Sequence, residues 1–153
     1  MRAQPWFRPA LAFLVVTQVV VGVWQLLLPR SFYDLYWVQL LPPYNEHLMR
    51  DVGALNLALA VVLGASVLIM ERRLVSTALL AYLTFAVYHL VFHATHLEHF
   101  PQADAIAQTS ALALGVAFPS VLLILAWQGE RVGRGNSASR REQESRGESR
   151  EPV

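Results

Sequence analysis

Apolar positions in this chain come in four runs, and none of the runs alternates. Residues 9–28, 52–70, 74–94 and 107–127 are apolar on every face of a helix, interrupted by a few Gln, Asn, Ser, Thr and His and by no charged side chain. Each is near the length of about 20 residues that an α-helix needs to cross about 30 Å of hydrocarbon. Strands would show a period of two, and lipid offers the backbone no partner outside its own helix. The pattern therefore predicts an all-α polytopic membrane protein, a four-helix bundle. Gly53, Ala54, Ala58, Ala60, Gly64 and Ala65 in the second run, with Ala111, Ala113, Gly115 and Ala117 in the fourth, suit close helix packing. Arg2 and Arg8 precede the first run in the charge order of a signal peptide. No small-residue cleavage site follows Leu28, so the first span is expected to be retained.

Charge divides the chain in two. Residues 129–153 hold six Arg and five Glu among Ser and Gly, whereas the first 128 residues hold six Arg and six acidic residues. The first part, 1–128, is read as the transmembrane domain. The second, 129–153, buries too little apolar surface to offset chain entropy and is expected to be a disordered polar tail. With the N-terminus in the cytoplasm, Arg2, Arg8, Arg72, Arg73 and the tail arginines fall inside, against Arg30 and Arg50 outside. The positive-inside bias thus predicts a multi-pass protein of the inner (plasma) membrane with both termini cytoplasmic.

Composition narrows the partners. A net charge of +1 gives no field for nucleic acid, and the absence of cysteine removes thiolate ligands, disulfides and thiol nucleophiles. The expected partners are the lipid bilayer and a membrane-complex subunit or a second copy. No Gly-rich phosphate loop, nucleophile elbow or zinc-protease helix motif is present.

Candidate chemistry lies in two polar clusters. Four of the five histidines stand between residues 89 and 99. At about 100° per residue, His89, His93 and His96 share an arc of roughly 60° on the third helix. Imidazole is a common ligand of Zn, Fe and Cu, so this stripe is a candidate transition-metal site. The second cluster, Tyr44, Asn45, Glu46, His47, Arg50 and Asp51, opens the second helix. With Pro43 as its first residue, Glu46 meets Arg50 and His47 meets Asp51 at one-turn spacing. Asn56 lies about 6 Å deeper and Gln25 about 6 Å below Pro29, while Gln108, Thr109 and Ser110 open the fourth span. All four helices thus offer polar groups toward the outer surface. The aromatic segment from Ser31 to Leu41 is read as an interfacial anchor or as a lid over an outward-facing pocket.

Three functions fit these residues: a metal-dependent enzyme acting on a lipid-soluble substrate, a binder of a lipophile such as a quinone or a lipid headgroup, and an accessory subunit without its own catalysis. The short four-helix pattern, the proline closing the first span (Pro29) and the stretch Arg50-Asp51-Val52-Gly53-Ala54-Leu55-Asn56-Leu57-Ala58-Leu59-Ala60 resemble the DoxX-like group of small bacterial membrane proteins. The likeness covers residues 9–127 and implies the four-helix fold. Through that group's links to thiosulfate–quinone oxidation and membrane oxidoreductase complexes, it also implies a redox-linked role. The histidine stripe is not part of the group's pattern.

Overall fold

A computed structural model describes residues 5–41 and 43–148, with side chains described as far as residue 128. It comprises α1 (Phe7–Leu27), α2 (Pro29–Tyr33), α3 (Tyr36–Gln39), α4 (Glu46–Ile69), α5 (Arg72–Thr95) and α6 (Gln102–Glu148), with no strand among the described residues. α1, α4, α5 and the Gln102–Gln128 part of α6 are each long and apolar enough to cross a membrane, and only 22–33% of each is buried inside the protein. Side chains such as Val16, Val61, Leu68 and Leu114 point outward. An apolar exterior of that extent belongs in lipid, and the chain is a multi-pass helical membrane protein. The tail expected to be disordered, 129–153, falls on residues whose side chains lie outside the described set, and 149–153 lie outside it entirely.

The second membrane helix starts six residues before the apolar run at residue 52. Asn45, not Pro43, marks the boundary: its side chain accepts a hydrogen bond from the Leu48 N–H at 3.1 Å, the N-cap geometry that satisfies one of the orphan donors. Pro43 is left outside the helix. At the other end of α4, Met70 adopts φ 53° and returns its N–H to the Ser66 carbonyl, and Glu71 is extended. That tight reversal sets α5 antiparallel to α4.

The four long helices associate most closely as two pairs, α1 with α4 and α5 with α6. In the first pair Gly22 and Gly53 face each other. A Cβ on Gly53 would lie 2.8 Å from the Leu26 nitrogen and 2.9 Å from the Gly22 carbonyl oxygen, so the two backbones touch where only glycine fits. The pairs join in one apolar core. Phe7, Leu11 and Leu14 of α1, Leu63 of α4, Val75, Ala78, Leu79 and Tyr82 of α5, and Leu122, Leu123 and Ala126 of α6 form a single cluster.

All of those residues sit toward the end of the bundle that holds the start of α1. Toward the opposite end the burial changes in kind. α5 has no buried residue between Tyr82 and His93, and α6 has none between Gln108 and Pro119. What is buried there is small or polar: Gln18, Gly22 and Gln25 with Gly53 and Asn56 in the first pair, His93 and Gln108 in the second. An apolar lock thus closes one end of the bundle, and at the other end each pair is held by its own polar contact.

Candidate functional site

Over that second end runs the segment between α1 and α4. Pro29 begins α2 with its ring-locked φ, and Asp34 and Leu35 separate α2 from α3. Tyr36 Oη donates to Asp104 Oδ2 at 3.1 Å and Trp37 Nε1 donates to Asp104 Oδ1 at 3.0 Å. Asp104 stands in the first turn of α6, where the helix dipole favours its charge. Its hydrogen bond, and secondarily its negative charge, hold the Tyr36 hydroxyl above the usual phenol range. The near side of the segment is fastened as well. Arg30 pairs with Asp34 at 3.1 Å and lies over the rings of Tyr33 and Tyr44, and Phe32 meets Trp24 of α1 edge to face. The aromatic segment is therefore a strap from the α1–α4 pair to the head of α6.

Beneath the strap, the residues expected to form one site fall into separate joints. Asn56 Nδ2 donates to Gln25 Oε1 at 2.8 Å, both side chains buried between α1 and α4. Arg50 ion-pairs with Glu46 at 2.8 Å and donates to the Leu26 carbonyl, covering an open acceptor at the end of α1. His47 pairs with Asp51 at 3.3 Å, and both are exposed. Asn45 is the cap of α4, and Tyr44 packs against Tyr33 and Arg30. Six of the eight expected ligand-binding residues thus form local caps, pairs and ring contacts around the head of α4, and the other two bond each other.

The histidines turn elsewhere. His93 is buried with Nδ1 2.9 Å from Gln108 Nε2, across the α5–α6 interface and not toward Asn56 or Glu46. His89 stands edge to face against His93 at 4.4 Å between ring centroids and stacks on Phe85. His96 leaves the stripe. Helix α5 ends at Thr95, and His96 has φ −128° and ψ 66°, so the helical projection does not extend to it. Its ring stacks on Phe92 at 4.2 Å, with Nδ1 2.8 Å from the Phe92 carbonyl oxygen. Among the described residues no three His, Asp or Glu side chains are grouped to hold a metal ion.

One polar site remains incomplete. Gln108 is 7% exposed, and its Oε1 has no hydrogen-bond partner; Thr109 Oγ1, the next residue on α6, is also buried without one. Each such atom is costly in an apolar setting. A third buried orphan, Gln18 Oε1, lies on α1, away from the histidines of α5. The concave surface formed by Val19, Val20, Val23, Trp24, Leu27 and Leu28 runs along α1 alone and is almost wholly apolar, a surface for acyl chains.

Asp104, Tyr36 and Trp37 were not among the expected site residues. Their sequence signal is an acidic residue within the first turn of a span facing a run of aromatics, but only the fold shows that the two meet. No protein-family model matches the chain, and neither a curated protein nor a solved structure matches it.

Proposed function

We propose that this chain is a multi-pass protein of the inner membrane, with both termini cytoplasmic, that holds the polar end of a lipophile under the strap. The observation that carries the reading is the buried His93–Gln108 pair with an unpaired carboxamide atom, set where the apolar core has ended. A buried acceptor without a partner is costly in an apolar setting, and this one stands beside His93, a second polar group that the ligand's polar end could meet. The ligand's hydrocarbon part would lie against apolar side chains of α5 and α6, and the strap would cover its head.

We place the chain with the DoxX-like group on the Arg50-to-Ala60 stretch. In this chain the residues of that stretch build the α1–α4 contact: Arg50 covers a terminal carbonyl of α1, Gly53 admits the α1 backbone, and Asn56 bonds Gln25. A three-histidine metal centre gains no support from the geometry, since His96 lies past the end of α5 and no three such side chains are grouped among the described residues.

The test is extraction. The full chain is purified from native membranes in mild detergent, stripped with organic solvent, and its lipophiles are quantified by mass spectrometry beside those of a Gln108→Met variant. One species enriched to near one per chain in the wild type and lost in the variant is expected. Identical extracts, in the proportions of the bulk membrane, would overturn the proposal.

A further inference from the structure

Helix α5 carries two polar faces, and the bundle occupies only one. The histidine face turns to α6, where His93 meets Gln108. On the other side Thr77, Ala81, Thr84, Tyr88, Val91 and Thr95 are all exposed. Their spacing alternates four and three residues, and at about 100° per residue they fall within an arc of roughly 80°. That is the repeat, about 3.5 residues, with which one helix follows another along a supercoiled contact. The hydroxyl-bearing members, Thr77, Thr84, Tyr88 and Thr95, keep to the middle of the arc, within roughly 40°.

Such a seam is out of place against lipid. The exposed positions from 13 to 27 in α1, from 54 to 69 in α4 and from 111 to 127 in α6 bear no hydroxyl, carboxamide or charge. Thr84 stands at the middle of α5, and Tyr88 is one turn farther on, about 6 Å along the axis. Tyr88 is 75% exposed, and its hydroxyl has no partner among the described residues. A tyrosine on a helix leans toward the helix N-terminus. Here that lean carries the phenol toward the bilayer centre and away from the headgroup level where tyrosine ordinarily sits. A donor left open at that depth is costly.

We infer that this face is the contact between two copies of the chain, α5 packed on α5 about a twofold axis along the membrane normal. Such an axis sets the two helices parallel and each seam residue opposite itself. The seam complements itself under that operation. Thr84 Oγ1 donates to the Leu80 carbonyl, which leaves its oxygen open to accept from the Tyr88 hydroxyl of the second copy. Symmetry makes the same bond a second time. Ala81 and Thr84 are small where that Tyr88 ring would lie, as close packing of membrane helices requires. Charge agrees at the head of the helix. Glu71 and Arg73 are both exposed, and neither is paired among the described residues. A second copy brings an arginine to each glutamate.

The chain has no cysteine, so single substitutions report the face directly. Thr77→Cys, Thr84→Cys and Val91→Cys are oxidised with copper phenanthroline in native membranes as full chains, beside Val61→Cys of α4 and Leu114→Cys of α6, exposed positions off the seam. Each product is weighed by mass spectrometry. The seam variants are expected to form a disulfide-linked species of twice the chain mass, and the two controls are not. Dissociation of fluorescently labelled pairs on dilution in dodecyl maltoside, followed by energy transfer, gives a second readout. Tyr88→Phe keeps the ring and should weaken the pair about fivefold to tenfold, the ratio for two interhelical hydrogen bonds of average strength.

No cross-link on the seam, or equal cross-linking at seam and control positions, would overturn the inference. A product of any other mass would overturn it too and give the seam to a different membrane protein. Unchanged dissociation in Tyr88→Phe would overturn the Tyr88–Thr84 bond.

Discussion

Replacing Gly53 with alanine measures how much the α1–α4 contact contributes to the fold. The new Cβ would lie 2.8 Å from the Leu26 nitrogen, 2.9 Å from the Gly22 oxygen and 3.0 Å from the Gln25 Cβ. Two of these are backbone atoms, so no side-chain rotation relieves the overlap and α1 itself must retreat. Forcing extra volume into a closed contact costs about 1–3 kcal/mol. The retreat also stretches the buried Asn56–Gln25 hydrogen bond, now 2.8 Å. Such bonds between membrane helices contribute about 0.6 kcal/mol on average. Against this, alanine gains about 0.5–1 kcal/mol over glycine in a helix interior. The net expectation is a loss of about 1–2 kcal/mol. Gly115 supplies the control, because a Cβ there meets nothing within 4 Å and Gly115→Ala should show only the helical gain. Unfolding in mixed dodecyl maltoside and dodecyl sulfate micelles, followed by far-ultraviolet circular dichroism, should place the midpoints in the order Gly115→Ala, wild type, Gly53→Ala. A Gly53→Ala protein as stable as the wild type would refute the argument that the backbones touch there.

Asn56→Leu leaves the Gln25 carboxamide buried without its partner and should cost about 1–3 kcal/mol in the same assay, while adding Gln25→Leu should recover part of the loss. Asp104→Ala removes both anchors of the strap. It should speed chymotryptic cleavage after Tyr36 and Trp37 and leave the unfolding midpoint nearly unchanged, since the contact is exposed. The strap should also respond to alkali. The Tyr36 hydroxyl is held above its ordinary value, so its bond to Asp104 is fully present below about pH 10 and is lost as pH climbs through the raised value. A spectrophotometric titration at the phenolate band should find one tyrosine ionising later in the wild type than in Asp104→Ala, and coincident curves would count against the bond.

The spans were legible because lipid enforces one rule on all four: unbroken apolar runs must be helical, and their number and order follow. Boundaries were less so. Hydropathy begins the apolar run only at Val52 and the proline signal put the helix start at Pro43, whereas the Asx cap at Asn45, itself a local signal, sets it at Glu46. The one-turn pairs Glu46–Arg50 and His47–Asp51 needed only helical spacing and are present. The partner of the histidines was not readable. Periodicity places His93 on a face of its own helix, but which neighbour meets that face depends on how four helices are arranged, and all four offered polar groups at similar depth. Pairing α5 with α6 gave His93 to Gln108 and left Gln25 to Asn56. His96 illustrates a different limit, because a projection at 100° per residue holds only while the helix lasts and α5 ends one residue earlier.

The division between an apolar end and a polar end has a mechanical consequence. In lipid, separating two apolar helix faces exposes them to a solvent as apolar as themselves, so cohesion rests on packing and on polar contacts. At the start of α1 the packing is continuous through all four helices, from Leu11 and Leu63 to Leu79 and Leu122. At the strap end the polar bonds run within each pair, Gln25 to Asn56 and His93 to Gln108, and neither joins one pair to the other. The bond that does join them there is the carboxylate of Asp104 with Tyr36 and Trp37. It is exposed and can be exchanged for water at little cost, whereas the apolar lock cannot. Releasing the strap therefore removes the polar tie between the two pairs at that end, while the core at the other end keeps the bundle whole.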